Sequence, residues 1–267
     1  MRLDDRDYVA AQYRDSANFD ARVRIYELYD ESEERVQRWL FPRLRLREGE
    51  RVLEVGCGPG NLWSENAERI PARLELVLTD LSPGMLDEAR GRLAGVSPMP
   101  AFRVADVQML PFPDARFDAV VASHMLYHVP DRAKALGEIR RVLRPGGRFF
   151  ATTYPWTHLL EIRVALEDLG LTGVMLPLRR GGDEFDLEHG AEEVARVLRV
   201  ERVERRDSWL AVRDTDTLLA YVRSNGRGAA LPAGALEPLR ARAARQIELT
   251  GAFRIQIAAA TICAVRD

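Results

Sequence analysis

The stretch that decides the fold is "VLEVGCGPGNLW", residues 52–63, where an apolar run and an acid precede three glycines in five positions. Its first part, extended to "RVLEV", has the composition of a buried strand, and "NLWSENAERI" after the glycines predicts a helix. Glycines permit a tight turn and let a ligand approach the backbone without a Cβ atom in the way. The stretch therefore predicts a strand, a cofactor-binding turn and a helix.

The spacing of the glycines separates this turn from dinucleotide-binding turns. Those use G-x-G-x-x-G, with the third glycine at the start of the helix. Here Gly56, Gly58 and Gly60 follow the pattern G-x-G-x-G. Asn61 and the bulky Trp63 occupy the helix N-terminus that a pyrophosphate would need bare. A nicotinamide oxidoreductase is therefore disfavoured, and an ordinary tight turn is the alternative for the loop taken alone.

Two aspartates follow the next two predicted strands. "LELVLTD" ends at Asp80, 20 residues after Gly60, where a carboxylate can bind two ribose hydroxyls. "AFRVAD" ends at Asp106, whose carboxylate can accept a hydrogen bond from an adenine amino group beside the backbone amide of Val107. Parallel strands end at one edge of a sheet, so these signals and the glycine turn converge on one site.

The order of predicted elements indicates an α/β domain with additions. Strands alternate with helices from 51 to 153, which predicts a parallel sheet with right-handed crossovers. Ser82 as N-cap and Pro83 in the first turn predict where one helix begins, "DRAKALGEIRRVLRPGG" predicts a helix that ends in basic residues and glycines, and residues 215–224 predict a later helix. Later, "RVERRDSWLAV" and "FRIQIAAATICAV" predict two more strands separated by helices. We expect a helical lid segment over residues 1–45 and a domain over 46–267, with helical cap insertions at about 154–190 and 214–250.

Composition excludes several classes of protein. A net charge of −2 over 267 residues gives no electrostatic reason to bind nucleic acid. The N-terminus is charged where a signal peptide would be apolar, and no stretch approaches ~18 apolar residues. Cys57 and Cys263 lie far apart and suggest no disulfide framework. The sequence predicts a reduced, cytoplasmic protein with no membrane and no nucleic-acid partner.

With these motifs in place, the sequence resembles the class I S-adenosylmethionine (SAM)-dependent methyltransferases of the small-molecule type. The resemblance covers roughly residues 45–153, through "VLEVGCGPG", "LVLTDLSPGML", "ADVQMLPFPDARFDAVVASHMLYHVPD" and "RRVLRPGGRFFATT", in family order. It implies a Rossmann-like seven-stranded sheet of order 3-2-1-4-5-7-6, with the last strand antiparallel and helices on both faces. It also implies SAM as cofactor and S-adenosylhomocysteine (SAH) as product.

The resemblance implies a cofactor-binding set at the ends of the first four strands: Glu54, Gly56, Cys57, Gly58, Gly60, Asp80, Leu81, Asp106, Val107, Ser123 and His124. The glycine turn and the acid before it would border the methionine moiety. Asp80 would hold the ribose with Leu81 against the adenine, and Asp106 would recognise the adenine edge. Ser123 and His124 would line the floor below the sulfonium.

Methyl transfer requires alignment, exclusion of water and, for a hydroxyl or ammonium acceptor, a base. "SHMLYHVPD" supplies two candidates, His124 first and His128 second, and a scaffold role stays open for both. A neutral imidazole near its ordinary pKa of ~6.5 would suit proton transfer near pH 7. No third ligand lies near this pair, so no metal site is predicted. His158 and His189 are expected at the surface.

The segments before and after the core are the candidates for closing the site. In related enzymes an N-terminal segment covers the cofactor, and Tyr13, with Tyr8 and Arg22 nearby, could exclude water from the methyl site. The alternative is an amphipathic helix on the sheet, with Arg22 solvated. "TYPWTH" after the fifth strand lies where acceptors bind, but Trp156 could equally anchor the core.

The predicted function is methyl transfer to an oxygen, nitrogen or carbon atom of a small organic acceptor. A SAM-binding protein without methyl transfer, such as a regulator or a SAM-dependent cyclase, is the alternative. Amino methylation of DNA is disfavoured, because "SHMLYH" stands where such enzymes carry an "NPPY"-like stretch. The acceptor and the oligomeric state are left open, with a homodimer as one option.

Overall fold

The computed structural model describes residues 17–172, 174–175, 185–225 and 228–267, with side chains described from 22 onward. Within these ranges a seven-stranded sheet has the order β3-β2-β1-β4-β5-β7-β6. The strands are β1 Arg51–Val55, β2 Glu75–Asp80, β3 Ala101–Val104, β4 Phe117–Ser123, β5 Leu143–Thr153, β6 Arg199–Val212 and β7 Phe253–Val265. β1 to β5 are parallel, and β7 is antiparallel to both neighbours. The predicted sheet is confirmed.

The helices of the described ranges cover both faces and one end of the sheet. They are α1 Ala17–Tyr29, α2 Val36–Leu40, α3 Asn61–Ser64, α4 Pro83–Arg92, α5 Arg132–Val142, α6 Leu160–Asp168, α7 Leu187–Ala195, α8 Thr215–Ser224 and α9 Glu237–Thr250. Short 3₁₀ turns occupy Phe41–Leu44, Ala67–Arg69 and Leu126–His128. No helix in the described part of the chain is both long and apolar enough to span a bilayer.

The sheet is buried on both faces because alternate side chains point in opposite directions. Val120 and Ala122 of β4 belong to a hydrophobic cluster that includes α5. Ala119 and Val121 of the same strand belong to a second cluster that includes α3 and α4. The sandwich of helices around the central strands follows from strands such as β4, in which residues 117–122 are all buried.

Local signals set where the core helices begin. The Ser82 side chain accepts a hydrogen bond from the backbone N–H of Met85 at 3.3 Å, and Pro83 is the first residue of α4. The predicted cap is confirmed. Asp131 does the same for α5, accepting from the N–H of Lys134 at 2.9 Å. These two caps position the loops that follow β2 and β4.

Two predicted boundaries were wrong. "NLWSENAERI" forms only the short α3 and a 3₁₀ turn, because the Asn66 side chain donates to the carbonyl of Leu62 at 2.8 Å and competes with the helix. "RPGG" was expected at the end of α5, but α5 ends at Val142 and β5 begins at Leu143. The register against β4 shifts there, between Phe117 and Ala119, so the strand accommodates the Pro-Gly-Gly segment as an irregularity.

β6 and β7 extend beyond the rest of the sheet. β5 pairs with β7 only as far as Thr153 and Ala260, whereas β6 and β7 stay paired to Val212 and Phe253. The projecting ends carry a third hydrophobic cluster, with buried side chains from α1, α6, α8 and α9. These four helices form a cap beside the carboxyl edge of the sheet. The predicted helix over 215–224 is confirmed as α8.

Candidate active site

A cavity of about 1100 Å³ opens at the carboxyl edge of the sheet. Ligands of open α/β folds bind at this edge, near the point where the strand order reverses, which here lies between β1 and β4. Pockets for one small molecule are typically about 300–1,000 Å³, so this space can hold a cofactor and a second molecule. Its walls include Tyr26, Glu54, Gly58, Asp80, Leu81, Asp106, His124, Tyr154, His158 and Ile257.

Gly56 and Gly58, in the turn after β1, are required for different structural reasons. Gly56 has φ +63°, and a Cβ atom there would lie 2.8 Å from the Met125 side chain. Gly58 has φ +53°, but no other atom lies within 4 Å of where its Cβ would be. Gly58 also lines the cavity, so its bare side is the one that a ligand can approach. The turn therefore combines one packing glycine with one glycine that faces the ligand space.

Asp80 connects the glycine turn to the start of α4. One carboxylate oxygen accepts from the N–H of Gly58 at 2.9 Å, and the other accepts from the N–H of Ser82 at 2.8 Å. Burial raises the pKa of Asp80, and these backbone donors oppose the rise. Each carboxylate oxygen has two lone pairs, so each can accept one further hydrogen bond from a ligand. The next residue, Leu81, is 52% exposed and lines the cavity.

Asp106 is held in place by the residue two positions later. One of its oxygens accepts from both the backbone N–H and the side-chain amide of Gln108, each at 2.9 Å. The carbonyl oxygen of that amide accepts from the N–H of Asp131 at 3.1 Å. Val107 lies between them and is 7% exposed. The loop after β3 is thus fixed to the N-terminus of α5, with Asp106 in the cavity wall.

Glu54 and Cys57 are the two buried titratable groups of the glycine turn. Trp63 donates its indole N–H to Glu54 at 2.6 Å. Burial is the main cause that raises the pKa of Glu54 to about 8; the Trp63 bond opposes it and Asp80 adds to it. Cys57 packs in the hydrophobic cluster of α3 and α4, and burial raises the pKa of its thiol well above the usual range. Cys57 is therefore not a reactive thiolate.

His124 has three unusual features in one residue. Its backbone has φ +53°, which a residue with a Cβ rarely adopts, and its N–H donates to the Thr152 hydroxyl at 2.9 Å. Both ring nitrogens are shielded from solvent without a hydrogen-bond partner. Burial lowers the pKa of His124 to about 4. The expectation of a pKa near 6.5 was therefore wrong, because the surroundings of the ring are largely apolar.

His124 begins a column of stacked rings that crosses the cavity wall. Its ring stacks on Tyr154 at 4.4 Å between centroids, and Tyr154 stacks on His158 at 4.0 Å. His158 accepts at Nδ1 from the N–H of Ala258 at 3.1 Å, so a neutral ring carries its proton on Nε2. That nitrogen lies 3.2 Å from the Tyr26 hydroxyl oxygen, to which it donates. The expected surface position of His158 was wrong.

The other predicted site residues and the remaining histidine lie partly in the cavity wall and partly outside it. His128 lines the cavity, with its ring edge-to-face against Tyr127 at 4.6 Å. Ser123 accepts from the Thr152 hydroxyl at 3.3 Å below them. His189 is exposed at the N-terminus of α7, where Asp186 raises its pKa by hydrogen bonding. Among the described residues, no group of three His, Cys, Asp or Glu side chains is arranged to bind a metal.

The N-terminal candidates are only partly described. Tyr8 and Tyr13 lie outside the described residues. In α1, Ile25 is buried in the cap cluster, and the Arg22 side chain lines the cavity with one guanidinium nitrogen shielded from solvent. Arg22 is therefore partly buried and not fully solvated. Trp156, the other aromatic candidate of "TYPWTH", is 44% exposed and neither anchors the core nor lines the cavity.

Sequence reasoning missed three side chains of the cavity, Tyr26, Tyr154 and His158. The signal for two of them was the "TYPWTH" segment directly after β5, since side chains that follow a strand lie at the ligand-binding edge. Tyr26 carried no such signal, because its place depends on how α1 packs on the cap.

Residues 53–151 match a family model described as "Methyltransferase domain". Over these residues the chain is similar to methyltransferase domains. The 27-O-demethylrifamycin SV methyltransferase of Amycolatopsis mediterranei is 38% identical over 123 residues, which cover 45% of this chain and 44% of that relative. The ubiquinone/menaquinone biosynthesis C-methyltransferase UbiE of Geobacter sulfurreducens is 39% identical over 108 residues, 39% of this chain and 42% of UbiE. The match thus spans less than half the length of these relatives.

Solved structures resemble the chain over a longer span, beyond the methyltransferase domain. The superposition with protein BH2331 of Bacillus halodurans C-125 covers 86% of this chain and 98% of BH2331, with a TM-score of 0.60 and 16% sequence identity. The superposition with the [4+2]-cyclase SpnF covers 89% of this chain and 86% of SpnF, with a TM-score of 0.55 and 21% sequence identity. At these identities the likeness shows the fold of the methyltransferase domain and its surroundings, and not their activities.

Proposed function

We propose that the protein is a SAM-dependent methyltransferase that moves a methyl group to an oxygen, nitrogen or carbon atom of a small organic acceptor. One observation carries the proposal: a single cavity joins the polar edge of the methyltransferase domain to a chamber beneath the cap. The first part suits a nucleoside cofactor, and the second has room for an acceptor. When bound, SAM would supply the activated methyl group.

The residues of the polar edge fit SAM. The open side of Gly58 leaves space beside the turn, where the methionine moiety would lie with Glu54, Gly56, Cys57 and Gly60 around it. The remaining lone pairs of Asp80 suit the two ribose hydroxyls. Leu81, exposed toward the cavity, offers an apolar face to the adenine. Asp106 and Val107 would contact its edge, and Ser123 with His124 would lie below the sulfonium.

The cap supplies the walls that exclude water from the transfer. Tyr26 of α1 and His158 from the segment after β5 are hydrogen-bonded across the cavity wall. Leu159 and Phe185 from that segment, and Ile257 of β7, add apolar surface. We propose that α1 and the described residues of the region 154–190 close the acceptor chamber on two sides. A covering role for Tyr13 stays a prediction, as do the oligomeric state and a cytoplasmic location.

The surroundings of His124 restrict how it can act on the acceptor. With a pKa of about 4, its ring is neutral at pH 7 and is a weak base. Each pKa unit between donor and acceptor corresponds to about 1.36 kcal/mol, so removing a proton from an alcohol would be strongly unfavourable. We therefore propose that His124 turns one ring nitrogen, shielded in this structure, toward the acceptor and orients it through a hydrogen bond. A proton would be transferred to it only from an acidic hydroxyl, and an activated carbon would need no base.

A transfer assay tests the proposal. The full chain is incubated with SAM carrying a labelled methyl group and a panel of phenols, carboxylates, amines and 1,3-dicarbonyl compounds. We expect label in at least one acceptor with SAH formed in equal amount, and loss of that transfer in His124→Phe. Binding of SAM without transfer to any member would support the alternative of a SAM-binding protein. Absence of SAM binding would contradict both readings.

A further inference from the structure

Glu54 and Asp80 form a pair of carboxyl groups without a cation. Glu54 is the second-last residue of β1 and Asp80 the last residue of β2, the neighbouring parallel strand, and both line the cavity. Neither forms an ion pair with any residue in the part of the chain that the structure describes. A charge on Asp80 disfavours a second negative charge on Glu54 and so adds to the rise in the pKa of Glu54.

The hydrogen bonds around the pair decide which group is ionised. Asp80 accepts two backbone N–H donors, which stabilise its carboxylate. Glu54 is 1% exposed and accepts only the indole N–H of Trp63. The pKa of Glu54 is about 8, mainly because of burial. Near pH 7 Glu54 is therefore largely protonated.

We infer that Glu54 releases this proton when a ligand places a cationic group beside it, so that cofactor binding liberates close to one proton per site. The inference rests on the proposed function, in which SAM and SAH bring an α-ammonium group to the glycine turn. The neutral acid becomes a carboxylate, the proton passes to buffer, and the ammonium remains charged. Glu54 is then the group that recognises the cation and sets the dependence of affinity on pH.

Other titratable groups facing Glu54 do not change charge over the relevant range. Burial raises the pKa of the Cys57 thiol in the turn, so it stays neutral. His124, at the end of β4, is neutral above its pKa of about 4. Burial raises the pKa of Asp80 of β2, and its backbone N–H donors, which favour the carboxylate, oppose that rise. The pH dependence between pH 6 and 8 is therefore assigned to Glu54.

The sign and size of the effect follow from proton linkage. Below pH 8 the ligand must displace a proton, so its affinity falls as the pH falls. If the bound carboxylate stays ionised throughout, the dissociation constant of SAH rises about 50-fold from pH 8 to pH 6 for a free-state pKa of about 8. In Glu54→Gln the carboxamide oxygen can still accept from Trp63, but no proton can be released. That variant should show less than about a threefold change.

Titration calorimetry of the full chain with SAH tests the inference without turnover. At pH 7, the heat of binding is measured in phosphate and in Tris, whose ionisation enthalpies differ, and the difference gives the number of protons released. We expect close to one proton for the wild type and close to none for Glu54→Gln. Trp63→Phe removes the donor that favours the Glu54 carboxylate, so its affinity should begin to fall at a higher pH than in the wild type.

The outcomes separate this inference from the proposed function. Tight SAH binding with no proton released by the wild type would overturn the role of Glu54 and leave the cofactor assignment intact. The measurement of proton release by the wild type needs no variant, so it tests the role of Glu54 even if Glu54→Gln does not fold. Equal proton release by Glu54→Gln and the wild type would also overturn it. If SAH did not bind at any pH, the proposed function itself would be contradicted.

Discussion

The sheet edge of residues 51–153 and the cap of α1, α6, α8 and α9 form one cavity, but they are built by contacts of different range. At the sheet edge, Asp80 bonds to Gly58 and Ser82, and Asp106 to Gln108, all within 22 residues in the sequence. In the cap, His158 meets Tyr26 over 132 residues and Ala258 over 100. A short motif can encode the first arrangement, whereas the second depends on the whole fold.

Truncating a buried leucine in each region tests whether the cap and the sheet edge contribute separately to SAH binding. Leu239 of α9 and Leu86 of α4 are both fully buried, in separate hydrophobic clusters. Each Leu→Ala change should lower the free energy of unfolding by about 3–4 kcal/mol, measured by urea denaturation, because a cavity remains. Leu239→Ala should leave the dissociation constant of SAH within about twofold. Leu86→Ala should weaken binding, since α4 supports the turn after Asp80.

The contrary result would be a large effect of the cap on the cofactor. If Leu239→Ala weakened SAH binding more than about tenfold in protein that is still folded, the two regions would not be energetically separate. The cofactor site would then have to be described as a property of the whole fold.

Asp80→Ala should produce the next largest effect. It would remove the proposed hydrogen bonds to two ribose hydroxyls, and charge-assisted bonds contribute about 1.5–3 kcal/mol each at the strong end. We expect the dissociation constant of SAH, measured by calorimetry, to rise about 100-fold, which corresponds to about 2.7 kcal/mol. No single change at the four histidines should weaken it as much. An unchanged constant in folded protein would show that Asp80 only holds the turn.

The same contrast explains what the sequence could and could not predict. The sheet order was implied by the family resemblance, whereas the Ser82 cap and the placing of Asp80 at the ligand edge were predicted because each depends on a few neighbouring residues. The early end of α3 was missed, since the Asn66 side chain also donates to the carbonyl of Gln37, 29 residues away. The low pKa of His124 and the inward position of His158 were missed, because burial and ring stacking arise only in the folded chain.

His124→Phe should have a smaller effect, and one of opposite sign on stability. Phenylalanine keeps a ring against Tyr154 but removes two buried nitrogens without partners, so the free energy of unfolding should rise by about 1–2 kcal/mol at pH 7. Thermal and urea unfolding measure this change. His128→Phe is the matched control, and we expect no gain in stability from it.

The pH dependence of stability gives a second test of His124. Its pKa is about 4 in the folded protein and ~6.5 in an unfolded chain, so the unfolded state binds a proton first as the pH falls. Its contribution should therefore decline between about pH 6.5 and pH 4, and His124→Phe should remove that part of the slope. A slope that is identical in the variant would mean that the ring is solvated and that the account of its environment is wrong.

We propose that the glycine turn, Asp80 and Asp106 form a SAM site and not a dinucleotide site. The most direct measurement is calorimetric titration of the wild-type chain with SAH and, separately, with NAD at the same pH and ionic strength. We predict saturable binding of SAH at one site per chain and no measurable binding of NAD. Binding of NAD without binding of SAH would contradict the account.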